Sequence, residues 1–343
     1  MTSAQPPYDA VLLVSFGGPE GPEDVIPFLE NVLRGRNVPR ERMLEVARHY
    51  EQFGGVSPLN EQNRALIAAL VTELNSRGPR LPVYWGNRNW RPLLPDALRQ
   101  MAEDGVRRAL AFVTSATSSY SGCRQYLDNI ADARNEVGAD APQVEKIRVF
   151  YNHPGFIAAV VDRVRVALSE LDEACRKSAQ LVFTAHSIPL SMAGGCDYQS
   201  QLEEACRLVA KAAPGLPWDL VYQSRSGPPS RPWLEPDVCD HLRALKVGGA
   251  KGVVVAPIGF LSDHMEVIYD LDVEASDVCE RIGLPMARAA TVGTHPDFVS
   301  MIRELIEERV SGAAPRALGD MGVGNHVCPA HCCPRPTRPQ PAD

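Results

Sequence analysis

A histidine follows an apolar run at a position where open α/β proteins place reactive side chains. The run covers residues 180–185 and continues into His186, within the sequence Phe-Thr-Ala-His-Ser-Ile-Pro. An imidazole changes its charge near neutral pH, so it suits both proton transfer and metal binding. A histidine that is only hydrogen-bonded within a loop is an equally good interpretation of His186 taken alone. It is therefore a candidate base or metal ligand that requires a partner.

A row of three carboxylates follows the strongest apolar run, residues 252–258. Glu266, Asp270 and Glu274 are spaced four residues apart, which predicts one face of a helix. A solvent-exposed acidic face is the alternative. Such a face usually contains Lys or Arg, however, and neither occurs between Gly259 and Arg281. The row begins beside His264, and it could carry protons or hard cations.

Three cysteines are gathered near the end of the chain, in the sequence Cys-Pro-Ala-His-Cys-Cys at residues 328–333. The chain has nine cysteines, and an odd number favours reduced thiols or metal ligands over a disulfide framework. A zinc site that includes His326 or His331 is one interpretation, and a tail with unliganded thiols is another.

Eight short apolar runs alternate with longer helical patterns, and they predict the elements that must position these residues. Runs bounded by Gly, Pro, Ser or Thr predict buried parallel strands at 11–16, 82–86, 110–115, 146–150, 180–185, 220–223, 252–258 and 286–291. Helices are predicted at 61–76, 94–104, 123–136, 155–176, 199–212, 235–246 and 296–310. This order predicts an α/β protein with two Rossmann-like, doubly wound halves, whose parallel sheets face a ligand cleft.

The predicted domains are an N-terminal half at residues 7–165, a C-terminal half at 166–312, and a Cys- and Pro-rich tail at 313–343. The last helix could pack back on the first half. The tail is too rich in Gly and Pro to form a core of its own.

Composition excludes several classes of function. The net charge of -7 disfavours a nucleic-acid partner. No apolar run reaches the roughly 20 residues of a membrane helix, and the first ten residues do not resemble a signal peptide, so a cytoplasmic location is expected. Neither GxGxxG nor GxxxxGK occurs, so a nucleotide cofactor lacks its usual motif. The Gly17–Gly18 pair after the first strand suits a tight turn, or a close approach to a flat ligand.

Four segments together resemble the motifs of ferrochelatases. They are LVSFGGP, FGGVSPL, FTAHSIP and SDHMEVIYDLDVE, and the resemblance extends from about Tyr8 to Val310. It implies the chelatase fold and an enzyme, a lyase, that inserts ferrous iron into a porphyrin in haem biosynthesis. It also implies two metal-binding catalytic residues, His186 and Glu266, and an acidic path formed by Asp270 and Glu274.

The resemblance assigns a second group of residues to the porphyrin. It implies macrocycle contacts at Ser57, Tyr126, Phe16, Arg34, His49 and Tyr50. Some bacterial members have an iron-binding tyrosine at the position of Phe16. Phe16 has no ligating atom, so the resemblance implies a stacking surface there and leaves an axial ligand on that side in doubt.

The tail cysteines resemble those of ferrochelatases that bind a 2Fe–2S cluster. That resemblance implies Cys123, Cys328, Cys332 and Cys333 as the four thiolate ligands, with zinc or an unliganded tail as the alternatives. The other thiols are expected to be structural, and they are Cys175, Cys196, Cys206, Cys239 and Cys279.

The resemblance also bears on the identity of the substrate and the metal. An arginine- and alanine-rich composition with tail cysteines resembles actinobacterial members, which implies coproporphyrin III, with protoporphyrin IX as the alternative. A cobalt or nickel chelatase often has a second histidine where this chain has Glu266, so Glu266 favours iron. A haem-binding module without turnover would not need the carboxylate row. Transient hand-off partners in the haem pathway are compatible with the proposed activity.

Overall fold

The computed structural model describes residues 7–35, 38–212, 215–227, 230–329 and 331–335, and these form two parallel four-stranded sheets. The order of the first sheet is β2-β1-β3-β4, and that of the second is β6-β5-β7-β8. The strands are β1 (Ala10–Ser15), β2 (Val83–Asn87), β3 (Arg108–Val113), β4 (Gln143–Lys146), β5 (Gln180–His186), β6 (Trp218–Gln223), β7 (Val253–Ala256) and β8 (Met286–Arg288).

Helices cross over between the strands, as parallel pairing requires. They are α1 (Pro22–Val32), α2 (Arg40–Glu51), α3 (Leu59–Arg77), α4 (Leu94–Glu103), α5 (Gln125–Val137), α6 (Pro154–Glu170), α7 (Glu173–Lys177), α8 (Leu190–Ala193), α9 (Tyr198–Ala212), α10 (Val238–Val247), α11 (Met265–Val267), α12 (Ser276–Ile282) and α13 (Pro296–Val310). Two π-helical segments, Tyr120–Arg124 and Ile268–Ala275, precede α5 and α12. Within the described ranges, no helix is long and apolar enough to cross a membrane.

Four phenylalanine rings pack together in the largest buried apolar cluster. The rings of Phe112, Phe150, Phe156 and Phe298 have centroids 5.3–6.5 Å apart, and all four side chains are buried. Phe112 belongs to β3 and Phe298 to α13, so the C-terminal helix packs against the first sheet. Helix α13 also contacts α3 and α6.

The fourth strand lies before the position predicted from the sequence. The apolar run at 146–150 predicted it, but β4 is Gln143–Lys146, an edge strand paired only with β3. Ile147 and Phe150 follow it as buried loop residues. Burial of the run was predicted correctly, but an apolar pattern alone does not distinguish a ladder residue from a buried loop residue.

The helix predicted at 155–176 is two helices. α6 ends at Glu170, and Asp172 begins α7 because its carboxylate accepts the backbone N–H of Cys175 at 2.8 Å. Aspartate is a favourable N-cap, so the local hydrogen bond competes with a continuous helix.

The described part of the tail after α13 has no helix or strand and is held by specific hydrogen bonds. Arg148 and Glu308 form a buried ion pair at 2.8 Å, and Arg148 also donates to the carbonyl oxygen of Arg316. Asn152 donates to the carbonyl oxygens of Leu318 and Gly322. Removing one member of such a buried pair costs about 3–5 kcal/mol, because the other charge is left uncompensated.

Candidate active site

A cleft of about 370 Å³ lies at the carboxyl ends of strands from both sheets. β1 and β3 lead into it from the first sheet, and β5 and β7 lead into it from the second. The loop after β1 is held tightly: Gly17 has a φ of +83°, and a Cβ there would lie 2.9 Å from the side chain of Asn87. A Cβ on Gly18 would lie 2.7 Å from Ser57. The glycine pair therefore packs against its own protein and fixes the edge of the cleft.

His186 is the last residue of β5 and projects into this cleft. Its Nδ1 lies 2.5 Å from the carbonyl oxygen of Ser187, and its own carbonyl oxygen accepts a hydrogen bond from the hydroxyl of Tyr198. A proton on Nδ1 suits the carbonyl acceptor, which leaves Nε2 for chemistry. His186 Nε2 lies 3.6 Å from Glu266 Oε2. The histidine predicted from the sequence therefore lies beside Glu266, the first residue of the predicted carboxylate row.

The pKa of His186 is set by two opposing effects. Burial lowers it, but the carboxylate of Glu266, the carbonyl oxygen of Ser187 and the charge of Asp270 together raise the pKa of His186 to about 9. The raised pKa favours the imidazolium form of His186 at neutral pH, beside the carboxylate of Glu266. The carboxylates therefore outweigh burial in setting the pKa of His186.

Two of the three carboxylates in the row lie on a π-helical segment. Glu266 belongs to α11, whereas Asp270 and Glu274 belong to the π-helical segment Ile268–Ala275. The sequence predicted one helix face, and a π-helix retains that face because i and i+4 side chains remain neighbours at about 4.4 residues per turn. Gln223 at the end of β6 donates to the carbonyl oxygen of Glu266 at 2.8 Å. This bond attaches the row to the second sheet.

Asp270 is the middle residue of the row, and two side chains donate hydrogen bonds to it. Ser224 Oγ donates to its carboxylate, and Gln223 Nε2 lies 3.3 Å from the same oxygen. Burial raises the pKa of Asp270 to about 7, and the charges of Glu266 and Glu274 add to the increase, although Ser224 opposes it. The pKa of Glu274 is also raised, by burial and by Asp237. A second cavity, lined by Asp237, Asp270, Glu274 and Asp277, extends beside the row.

Four of the six predicted porphyrin contacts line the cleft. Ser57, Tyr126, Phe16 and Tyr50 are among its lining residues. Phe16 is 37% exposed and packs edge-on against Phe28 at 6.2 Å, so one ring face remains available for stacking. Burial raises the pKa of the Tyr50 hydroxyl, and Glu266 adds to that rise.

His49 and Arg34 are not among the lining residues. His49 stacks on Tyr269 with the ring centroids 3.6 Å apart, which joins α2 to the π-helical segment. Burial lowers the pKa of His49. Arg34 is exposed just after α1. The two residues lie on or beside the helices that form the rim, outside the cleft itself.

Arg88 and Trp233 are among the cleft residues that were not predicted from the sequence. Arg88 lies just after β2, and the carboxyl-end rule that identified His186 would also have found it. Trp233 is buried and lines the cleft, and its Nε1 has no hydrogen-bond partner among the described residues. No local pattern marks Trp233, because only tertiary packing brings its loop to the cleft.

The four cysteines that were predicted as cluster ligands lie near one another, and Cys123 belongs to the Tyr120–Arg124 segment. A hydrogen bond with Cys328 and burial raise the pKa of Cys123, while the same bond lowers the pKa of Cys328. The Sγ atoms of Cys332 and Cys333 are 3.5 Å apart. The side chain of Arg124 donates to the carbonyl oxygens of Cys332 and Pro329. Nevertheless, no three His, Cys, Asp or Glu side chains in the described ranges are grouped as they would be around one metal ion.

Solved structures with the same architecture define the class of fold. SirB from Bacillus subtilis with Fe3+ superposes with a TM-score of 0.56 at 10% identity, over 89% of this chain and 96% of SirB. The sirohydrochlorin chelatase SirB of B. subtilis subspecies spizizenii in complex with cobalt gives a TM-score of 0.52 at 10% identity, with the same coverage. This chain therefore has the chelatase fold.

The chain belongs to the ferrochelatase family, whose sequence profile matches residues 8–310. A ferrochelatase from Rhodopirellula baltica is 59% identical over 96% of this chain and 95% of its own length. The coproporphyrin III ferrochelatases of Streptomyces coelicolor and Frankia alni are 51% and 54% identical over 98% of this chain, and over 96% and 89% of their own lengths. The resemblance noted in the sequence is thus confirmed at the level of the family.

Proposed function

We propose that this protein is a lyase-class enzyme that inserts Fe²⁺ into coproporphyrin III during haem biosynthesis. The observation that carries this proposal is the 3.6 Å pair of His186 Nε2 and Glu266 Oε2 inside a cleft lined by aromatic rings. An imidazole and a carboxylate are suitable ligands for ferrous iron, and both can accept protons. The relatives from Streptomyces and Frankia support coproporphyrin III as the porphyrin.

The reaction replaces two pyrrole N–H protons with one divalent cation, so the site must remove two protons. His186 and Glu266 are the proposed acceptors nearest the ring nitrogens. Asp270, with a pKa raised to about 7 by burial, can bind and release a proton at neutral pH. Glu274 continues the row toward the second cavity, and we assign Asp270 and Glu274 to the path for protons and Fe²⁺.

The remaining cleft residues hold the macrocycle. Phe16 offers a stacking face without an axial ligand, and Ser57, Tyr126 and Tyr50 offer hydroxyl groups at the edge of the ring. We assign His49 and Arg34 to the rim, where they would contact the porphyrin only at its periphery. A slot that bends the macrocycle exposes the nitrogen lone pairs, which lowers the barrier to metal binding.

The activity is tested by incubating the protein anaerobically with Fe²⁺ and either coproporphyrin III or protoporphyrin IX. We expect catalytic formation of the iron porphyrin, faster with coproporphyrin III, which absorption spectra would follow. Preference for protoporphyrin IX would change the assigned substrate. Turnover with only Co²⁺ or Ni²⁺ would change the assigned metal, and stoichiometric binding without proton release would indicate a haem-binding module.

We further propose that Cys123, Cys328, Cys332 and Cys333 bind a 2Fe–2S cluster. Four thiolates satisfy the ligand requirement of such a cluster, and these four thiols are neighbours in the order Cys123, Cys328, Cys332, Cys333. The hydrogen bond with Cys123 lowers the pKa of Cys328, which favours its thiolate form, and Lys146 partly opposes the rise in the pKa of Cys123. When bound, the cluster would supply a covalent link between the tail and the first half of the chain.

Replacing any one of these four cysteines by serine should bleach the protein. The cluster absorbs visible light, and losing one of four thiolates removes it, whereas Cys175→Ser and Cys239→Ser should leave the colour unchanged. Iron and sulfide analysis of anaerobically purified protein checks the assignment. Zinc without sulfide would indicate a zinc site that includes His326 or His331, and colour that survives Cys123→Ser would remove that residue from the set.

The cellular setting follows from these assignments. We propose that the protein works in the cytoplasm, and that transient partners of the haem pathway supply its porphyrin and receive its coprohaem product. We also retain the division into halves at 7–165 and 166–312 with a tail at 313–343, in which the tail is joined to the first half through Cys123.

A further inference from the structure

A fifth thiol lies beside the four cysteines that we propose as cluster ligands. Cys196 follows α8 and is half-buried. Burial raises the pKa of Cys196, and the charges of Asp197, Cys332 and Cys123 add to that rise. The charge of Cys196 also contributes to the raised pKa of Cys333. Cys196 is therefore a neighbour of the proposed ligands, although it comes from the segment between β5 and β6.

The end of the tail touches the backbone beside Cys196. Pro334 packs on Gly195 so closely that a Cβ on this glycine would lie 3.3 Å from Pro334 Cγ. On the other side of the tail, Arg124 Nε donates to the carbonyl oxygen of Cys332 at 3.2 Å. The end of the tail is thus held between the turn after α8 and the Tyr120–Arg124 segment, and its thiols face both.

The same two segments form part of the wall of the cleft. Met192 of α8 and Ser121 both line the cleft, and Ser121 Oγ lies 3.9 Å from Met192 Sδ. Cys196 Sγ donates a hydrogen bond to the carbonyl oxygen of Met192 at 3.2 Å. The thiol of Cys196 therefore helps to hold the turn that places Met192 in the cleft.

The arrangement of the five thiols favours one disulfide partner for Cys196. The Cα atoms of a disulfide are usually about 4.4–6.8 Å apart, whereas those of adjacent residues are about 3.8 Å apart. A disulfide between Cys332 and Cys333 is therefore strained, although their Sγ atoms lie 3.5 Å apart. Cys123 and Cys328 are already hydrogen-bonded to each other. The neighbour left for Cys332 is Cys196.

We propose that Cys196 and Cys332 form a disulfide when no metal occupies the thiols, and that this bond couples the oxidation state of the tail to the cleft wall at Met192. The oxidant is a peroxide. The sulfur of Cys332 attacks a peroxide oxygen, and the O–O bond breaks to give a sulfenic acid and water. The sulfur of Cys196 then attacks the sulfur of Cys332, and the S–O bond breaks to release a second water. The two sulfurs lose two electrons, which the peroxide gains.

The disulfide changes the turn after α8 because it removes a donor. A thiol can donate a hydrogen bond and a disulfide sulfur cannot, so the bond from Cys196 to the carbonyl oxygen of Met192 is lost. Met192 is then held less firmly in the cleft. The loss of one hydrogen bond predicts porphyrin binding that is weaker by about twofold to tenfold.

The test starts from full-length protein that is metal-free and fully reduced. Two equivalents of hydrogen peroxide are added, enough for two disulfides, and unreduced peptides are mapped by mass spectrometry with fragmentation. We expect a link between Cys196 and Cys332 in wild-type protein and in Cys333→Ser, and its absence in Cys196→Ser and Cys332→Ser. Cys175→Ser is the matched control, because Cys175 is also half-buried and its Sγ donates to a backbone carbonyl oxygen, that of Lys251, at 3.1 Å. It should leave the link intact.

A fluorescence titration with coproporphyrin III measures the effect on the cleft. Oxidised wild-type protein should bind the porphyrin more weakly than reduced protein, and a thiol reductant should restore the affinity. Oxidation of Cys196→Ser should leave the affinity unchanged, since serine keeps a donor for Met192 and cannot form the link.

Each other outcome overturns a defined part of the proposal. If Cys196 stays reduced while the remaining four thiols pair among themselves, the disulfide is excluded. A link to Cys196 that survives Cys332→Ser would overturn the pairing. A link that leaves the affinity for coproporphyrin III unchanged would overturn the coupling to the cleft. If reduced wild-type protein binds no porphyrin, the proposed function fails, whereas the disulfide is still decided by the peptide map.

Discussion

His186→Ala should abolish iron insertion, with kcat lowered by about 10²- to 10⁴-fold, while the fold is retained. The imidazole lies beside Glu266 in the cleft, and its loss removes the proposed proton acceptor and metal ligand. The fold should survive because the side chain is 31% exposed and the hydrogen bond from Tyr198 goes to the backbone of His186. Single-turnover kinetics and a thermal melt measure the two effects separately.

His241→Ala is the matched control for this change. His241 also pairs with an acid, Asp219, at 3.1 Å, but it is not among the cleft residues. We expect near-normal kcat for His241→Ala. A correctly folded His186→Ala protein with normal kcat would exclude His186 as the base.

The wild-type protein should become more active as the pH rises from about 6 to about 9, because a base must lose its proton before it acts. Glu266 raises the pKa of His186 to about 9, so the protonated and inactive form dominates below that pH. The profile of kcat/KM reports this ionisation in the free enzyme. In Glu266→Gln the main cause of the raised pKa is absent, so the rising limb should move to lower pH.

Glu266→Gln should lose far more rate than Glu274→Gln. Glu266 is the member of the row that lies beside His186, so its carboxylate is the one placed to take a proton or bind Fe²⁺ together with the imidazole, and a loss of about 10²-fold or more in kcat is expected. Glu274 lies at the outer end beside an open cavity, where water can take over its role. The two changes are chemically identical, so each is the control for the other.

A different result would change the role of the row. Equal and small effects of Glu266→Gln and Glu274→Gln would make the row a solvated helix face. A large effect of Glu274→Gln alone would indicate that the entry of Fe²⁺ through the second cavity limits the rate.

The fold class, seven of the eight strands to within a few residues, and the candidate pair His186 and Glu266 were all predictable from the sequence, and the structure places that pair 3.6 Å apart. Strands buried on both sides must be apolar throughout, so their pattern is local and visible, as in β1 and β5. The strand that ends at His186 has such an apolar pattern. The spacing of four residues between the carboxylates predicted a shared helix face, and the π-helical segment preserves that face.

Other features required the tertiary structure. The edge position of β4, the adjacency of Cys123 to Cys328, the exclusion of Arg34 from the cleft lining and the position of Arg88 beside Tyr126 all depend on contacts between distant segments. The pKa of His186 depends on opposing effects of burial and of Glu266, and neither is defined until the two sheets face each other. Local sequence patterns encode which residues are buried and whether their backbone is helical or extended. Distances between side chains from different elements, and hence the electrostatics of the site, arise only when the elements pack.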